Sequence, residues 1–210
     1  MVSTTLESRL FPFTRDEFAR RLPQPAPPPS EDDRHRFGLP SGAKATEAAV
    51  MLPLVHREGR VQVLLTQRTA HLNDHAGQIS FPGGRVEAED SSRETTALRE
   101  TEEEIGLPRE RVTLIGRLPL YEVPSGFRIT PVVGWIEAPF ALRPDPFEVA
   151  EIFEVPVEHF LRPAHYLRRE YHFRGRHRHY MAVPYEGRYI WGATAGMLYE
   201  FCRVVLAGET

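Results

Sequence analysis

Residues Arg99 to Leu107 read Arg-Glu-Thr-Glu-Glu-Glu-Ile-Gly-Leu and crowd four carboxylates into one short segment. On a helix turning about 100° per residue, Glu100, Glu103 and Glu104 share one side and Glu102 projects elsewhere. Acids at i, i+3 and i+4 repel by a few tenths of a kcal/mol per pair. They also lie towards the helix C-terminus, where the macrodipole disfavours negative charge. Only Arg93 and Arg99 stand at hand to relieve them. A hard divalent cation would turn the repulsion into attraction. Mg²⁺ prefers oxygen ligands, keeps several waters and is often shared with substrate phosphates. Against this stands the plainer reading of a solvated acidic helix face.

The helix that must carry these acids is expected over about 92–105. Ser91 and Glu94 form a capping box, and Gly106 with Pro108 closes the segment. Leu98, Thr101 and Ile105, with Ala97 nearby, supply its apolar side. Just upstream, Leu64 to Gly84 ends in Phe-Pro-Gly-Gly, and paired glycines allow a close backbone approach to a ligand or simply a tight turn.

Around this centre the chain alternates strand and helix patterns. Strands are expected at 47–55 and 60–68 with a turn between them, then in Val112–Tyr121 and Arg128–Glu137 split by Pro-Ser-Gly at 124–126, and at 149–156. A hairpin turning at Gly175 and a helix over about 193–207 follow. A mixed sheet flanked by helices is the expected class, α/β. Thr14 and Glu17 cap a short helix at about 15–21. Five prolines between 23 and 29 then make an extended connector, so residues 1–43 are read as an N-terminal appendage and 44–210 as the main domain.

The 210 residues are 41% hydrophobic and 26% charged, as in an ordinary globular chain, and the net charge of -3 argues against a general nucleic-acid binder. The single cysteine, Cys202, excludes an internal disulfide framework and sits in an apolar helical stretch as a buried thiol. No apolar run approaches the roughly 18 residues that span a bilayer, and the first residues lack the apolar centre of a signal peptide, so no membrane partner and a cytoplasmic location are expected.

The segment Gly83 to Leu107 resembles the Nudix box, and Leu64-Leu65-Thr66-Gln67-Arg68, Gly77 and Phe81-Pro82-Gly83-Gly84 resemble the motif that precedes it in the coenzyme A diphosphatase branch. The likeness runs over roughly 45–200. It implies a Nudix fold, an α/β/α sandwich, and Mg²⁺- or Mn²⁺-dependent cleavage of a nucleoside diphosphate linked to another group. For coenzyme A the implied products are 4′-phosphopantetheine and adenosine 3′,5′-bisphosphate. Other dinucleotides such as ADP-ribose or NADH are the alternative substrates, and a Nudix-fold module without turnover is the alternative class.

By resemblance, Glu100 and Glu104 are the principal metal ligands, and Glu103 is a further ligand or the base that orients water. Arg99 is expected to point away from the metal and tie down an acid of the preceding loop. The loop is about one residue longer than the general pattern, which would place that acid at Ser91 and the leading glycine at Arg85; Glu89 or Asp90 must serve instead. Gly83 and Gly84 let the loop approach the helix, and Arg68 is a candidate diphosphate contact. Thr101 takes a usually aliphatic position and Asn73 one that is often Arg. A later catalytic acid would be Glu148 or Glu151. The stretch 165–180, with five arginines and four histidines against one glutamate, is either a contact for the 3′-phosphate or a solvated hairpin or subunit contact, which leaves a homodimer open.

Overall fold

The computed structural model describes residues 13–22, 45–71, 75–173 and 176–207, and for 171–173 and 176–178 the backbone alone. The proline-rich connector, Asn73, the turn at Gly175 and the side chains of 171–178 therefore lie outside the described residues.

Strand β1 (Thr46–Arg57) is buried on both faces because its β-branched and aliphatic residues run without the polar alternation of a half-exposed strand. It pairs in parallel with β7 (Phe127–Glu137), Ala49 opposite Thr130 and Val55 opposite Ile136. Such a parallel pair requires a crossover, and the helix α2 (Arg93–Ile105) lies in it. β2 (Arg60–Arg68) returns antiparallel to β1 through Glu58 and Gly59, both left-handed. β8 (Val149–Pro156) pairs antiparallel with β2, and β5 (Val112–Arg117) with β7. Three short strands extend this sheet: β3 (Ile79–Ser80) on β2, β4 (Gly83–Arg85) on β1, and β6 (Tyr121–Glu122) on β7.

Strand alternation divides the core into two layers. Leu52, Leu54, Val63, Leu65, Val133 and Trp135 face one side, where Leu198 and Phe201 of the helix α4 (Gly192–Ala207) meet them. Ala49, Met51 and Val132 face the other side against Ala97 of α2, and Val55, Leu64 and Ile136 meet Ile105 there. The expected mixed sheet between helices is thus present. Beside it, β9 (Leu167–Phe173), β10 (Arg176–Tyr185) and β11 (Arg188–Trp191) form a second antiparallel sheet. The four-residue β11 is too short to show a period; its Ile190 and the Val183 of β10 are buried in the α4 layer. A short helix, α3 (Val157–Phe160), precedes this sheet. Among the described residues no helix is long and apolar enough to cross a membrane.

Two expectations change. The cap of α2 is Ser92, whose hydroxyl accepts from the Thr95 amide at 3.2 Å, and Ser91 bonds only the Thr95 hydroxyl. Starting one residue later takes Glu94 out of any capping box, and it pairs with Arg117 instead. The strand expected over 112–121 ends at Arg117, with a register shift between Leu114 and Gly116 inside it, and pairing with β7 resumes at Tyr121 in β6.

The N-terminal helix α1 (Arg15–Arg21) has the expected capping box: the Glu17 amide donates to Thr14 Oγ1, and the Thr14 amide donates to Glu17 Oε2 at 2.6 Å. Its Phe18 is fully buried in the α4 layer, stacked on Phe201 at 5.8 Å between centroids and tilted against Trp135 at 6.3 Å. Arg21 Nη1 donates to the Val205 carbonyl at 2.7 Å. The helix is therefore part of the core, although a proline-rich stretch follows it. Phe18→Ala should cost about 3–5 kcal/mol, the range for emptying a packed aromatic site. Urea unfolding of the full chain measures it, and a change below 1 kcal/mol would mean that α1 does not stay docked.

Candidate active site

Strand β4 brings Gly83 and Gly84 against α2. It pairs with β1, Val50 opposite Gly83 and Ala49 opposite Gly84, and the Pro82 carbonyl accepts from the Met51 amide at 2.8 Å. A Cβ at Gly83 would stand 2.5 Å from the Ala49 carbonyl oxygen and 2.6 Å from Val50 Cα. A Cβ at Gly84 would fall on the Glu100 carboxylate. Gly83 admits no side chain, and a side chain at Gly84 would have to displace the Glu100 carboxylate, so the Phe-Pro-Gly-Gly run is what lets strand and helix close up. Phe81 anchors the run, buried in the core.

The acids of α2 then separate as helical geometry requires. Glu102 faces out and pairs with Arg109 at 2.7 Å. Glu104 is only 5% exposed, lying over the sheet, where the Gly83 amide reaches its Oε1 at 3.4 Å. Burial is the main reason its pKa is pushed up to about 8; the Gly83 amide opposes this, the Glu100 and Glu148 charges add to it, and the Arg68 charge works against it. Glu100 is raised as well, again by burial first, with Arg99 working against the rise and Glu103 and Glu148 reinforcing it.

Arg99 ties the loop and the helix together. Its Nε donates to Asp90 Oδ1 at 3.2 Å and its Nη2 to Asp90 Oδ2 and the Arg85 carbonyl, both at 3.1 Å. Asp90 is thus the loop acid, and the guanidinium holds its carboxyl far below the usual carboxylate range; Glu89 is exposed. Arg99 does not point away from the acidic face, however. Its Nη1 donates to Glu100 Oε1 and Glu103 Oε2, each at 2.9 Å, with Glu87 3.9 Å away. A long guanidinium donates in several directions at once, which a wheel drawn from Cβ positions does not show.

From the sheet, Arg68 and Glu148 join the group. Arg68, at the end of β2, places Nη1 3.7 Å from Glu148 Oε2, and its buried Nε has no hydrogen-bond partner among the described residues. Glu151 is occupied elsewhere, by Arg188. Thr101 is buried, and its hydroxyl satisfies itself on the Ala97 carbonyl at 2.6 Å, so a polar side chain costs little at an aliphatic position. Cys202 lies away from this group, buried, its thiol pushed up to about 11 by burial. Of the basic hairpin, the described side chains show His179 at 3.4 Å from Glu170.

The Nudix domain model matches residues 45–174. The chain belongs to the Nudix hydrolase family. Its relatives include two proteins described as uncharacterized Nudix hydrolase NudL. That of Citrobacter koseri is 42% identical over 154 residues, 73% of this chain and 80% of the relative. That of Cronobacter sakazakii is 38% identical over 189 residues, 90% of this chain and 93% of the relative. Among solved structures, a MutT/nudix family protein from Enterococcus faecalis is 19% identical with a TM-score of 0.49, covering 93% of this chain and 75% of that one.

Nudix hydrolases generally use divalent metal ions such as Mg²⁺, and the residues present fit one. Glu100 and Glu104 are hard oxygen donors that burial has left mutually repelling. Among the described residues no three acidic, imidazole or thiol groups converge as a finished cage.

The elevated Glu104 carboxyl has a measurable consequence without metal. Between the usual glutamate value near 4.3 and about 8, the folded chain retains a proton that the unfolded chain has released. Folding stability therefore falls as pH rises through that window. In EDTA, Glu104→Gln should match the parent near pH 5 and exceed it increasingly towards pH 8.5 in urea titrations. A difference that stays flat with pH would show that Glu104 ionises normally in the fold.

Proposed function

We propose that this Nudix hydrolase is a Mg²⁺- or Mn²⁺-dependent coenzyme A diphosphatase, releasing 4′-phosphopantetheine and adenosine 3′,5′-bisphosphate. The observation that carries the reading is the meeting of two parts of the motif that precedes the Nudix box at the Glu104 carboxylate: the charge of Arg68 from Leu-Leu-Thr-Gln-Arg acts on it, and the Gly83 amide of the Phe-Pro-Gly-Gly run reaches it at 3.4 Å. A diphosphate needs cationic contacts on its oxygens and acids that hold a metal, and this arrangement offers both.

Water adds to one phosphorus, the bond to the bridging oxygen breaks, and the second phosphate leaves with that oxygen. A bound divalent ion would neutralise the diphosphate and lower the pKa of the attacking water. Glu100 and Glu104 would hold it, with Glu103 as a further ligand or as the group that orients the water. Arg68 would contact the diphosphate through its guanidinium, which lies 3.7 Å from the Glu148 carboxylate. Asp90 and Arg99 would keep the loop and Glu100 in place. Glu148, whose charge acts on Glu100 and Glu104 and whose carboxylate lies 3.7 Å from Arg68, would be the acid that moves a proton, Glu151 being paired with Arg188.

Product identification from coenzyme A with Mg²⁺ and with Mn²⁺ tests the reading, and ADP-ribose consumed far faster than coenzyme A would replace it with the other dinucleotide class. Glu100→Gln and Glu104→Gln should each lose more than the roughly 10–100-fold typical of outer residues around a metal, with the fold intact by circular dichroism. Unchanged turnover in both would sink the metal assignment. For the later acid, Glu148→Gln should lower kcat by about 100-fold, the low end for general acid–base groups, while Glu151→Gln stays near the parent; the reverse pattern would move the role to Glu151.

A further inference from the structure

The loop between β7 and β8 carries a phenylalanine that the fold does not use. Phe147 is 63% exposed, against 44% for Tyr189, 41% for Trp191, 39% for Leu114 and 37% for Tyr199. A single exposed apolar side chain is ordinary on a protein surface; this one differs in how tightly its backbone is tied and in what stands next to it. The Phe147 carbonyl accepts from the hydroxyl of buried Thr69 at 2.7 Å, and the Phe147 amide donates to Asp145 Oδ1 at 2.9 Å. The Thr69 amide donates to the Glu148 carbonyl at 2.9 Å, and the Asp145 amide donates to the Glu104 carbonyl at the end of α2, also at 2.9 Å. The backbone that carries the ring is therefore tied to β2 and to the end of α2. The His71 imidazole packs against it with centroids 4.9 Å apart and planes inclined at 60°.

One residue along the chain, a step of about 3.8 Å, is Glu148. Its charge acts on Glu100 and Glu104, and its carboxylate stands 3.7 Å from Arg68. An exposed aromatic ring, on a loop whose backbone is clipped to the end of α2, therefore stands one residue from the carboxylate that lies beside Arg68. In a nucleoside diphosphate the base is one ribose away from the phosphates, so a base beside a diphosphate bound at those acids can reach this ring.

We propose that Phe147, buttressed by His71, is the platform on which the purine base of the substrate stacks. This rests on the diphosphatase reading for the position of the diphosphate. It adds a specificity element: the ring contributes through the π-face of the base and makes no contact with the reacting phosphorus. The substrate is then recognised from its nucleoside end, whatever group lies beyond the second phosphate.

Calorimetric binding of ADP and of inorganic pyrophosphate to the full chain in Mg²⁺, for the parent, Phe147→Ala and Phe147→Trp, tests the platform. Stacking by one aromatic residue predicts that Phe147→Ala weakens ADP about ten-fold, leaves pyrophosphate unchanged, and is rescued by Phe147→Trp. With coenzyme A the same loss should appear in KM and spare kcat. Equal losses for ADP and pyrophosphate would mean that the ring only holds the loop, and no loss for either, or no preference of the parent for ADP over pyrophosphate, would equally overturn the proposal. If coenzyme A is not cleaved and the ADP effect still appears, the platform stands and the coenzyme A reading alone falls.

Discussion

The site depends on one narrow gap, the space between the glycine strand β4 and the acidic helix α2. β4 is fixed by its ladder to β1, and a Cβ at either glycine would strike β1 or the Glu100 carboxylate. On the helix side two of the buried residues are small: Ala97 rests on Ala49 and Met51, and Thr101 turns its hydroxyl back on the helix. Strand and helix therefore approach as closely as backbone and short side chains allow. This closeness takes water away from Glu104 and Glu100 and raises both carboxyls. Packing at Gly83, Gly84, Ala97 and Thr101 thus sets the electrostatics of groups that none of them carries.

The charges of α2 are shared out unequally as a result. Glu94 and Glu102 are relieved by Arg117 and Arg109 outside the gap. Within it, Arg99 alone serves Asp90, Glu100 and Glu103, with Glu87 at the edge of reach. One cation among four carboxylates cannot neutralise them, and the residual repulsion falls on the buried glutamates because solvent does not screen them. Glu104, with a long amide contact and the Arg68 charge to offset its burial, is the most perturbed of the glutamates. A dication would relieve this arrangement, whereas a further arginine would need room that the glycines leave only for backbone.

Most of the fold was legible because its elements carry their own local signals. The bounds of β2 and β8 follow from unbroken apolar or alternating runs between turn residues, and α1 from a capping box confined to Thr14 and Glu17. Legibility fails where neighbouring residues compete for one role or where a partner lies far along the chain. The shift of the α2 cap from Ser91 to Ser92 turns on which serine Thr95 meets, and Glu94 is drawn off by Arg117 from another strand. The short strands β3, β4 and β6 exist only as partners of longer ones. In the site, residue types and helical spacing isolate Glu100, Glu103 and Glu104 from Glu102. The reach of Arg99 to both Glu100 and Glu103 was missed because a helical wheel places Cβ atoms and a guanidinium extends well past them.

The choice between Glu148 and Glu151 shows the same limit at greater range. The last carbonyls of a helix have no partner within it. Here those of Glu104 and Ile105 accept from the amides of Asp145 and Arg143 at 2.9 and 2.8 Å, so a distant loop caps α2 through its backbone. With the loop clipped there, and again at Thr69, the Glu148 carboxylate lies 3.7 Å from Arg68, and Glu151, further along β8, pairs with Arg188. Backbone amides are common to all residues except proline, so this clip leaves no mark in the sequence. Yet the same bonds that satisfy the helix end bring Phe147, Glu148 and Arg68 together beside the buried glutamates. The fold's need to cap α2 and the assembly of the site are met by one set of hydrogen bonds, and loosening that loop would disturb both.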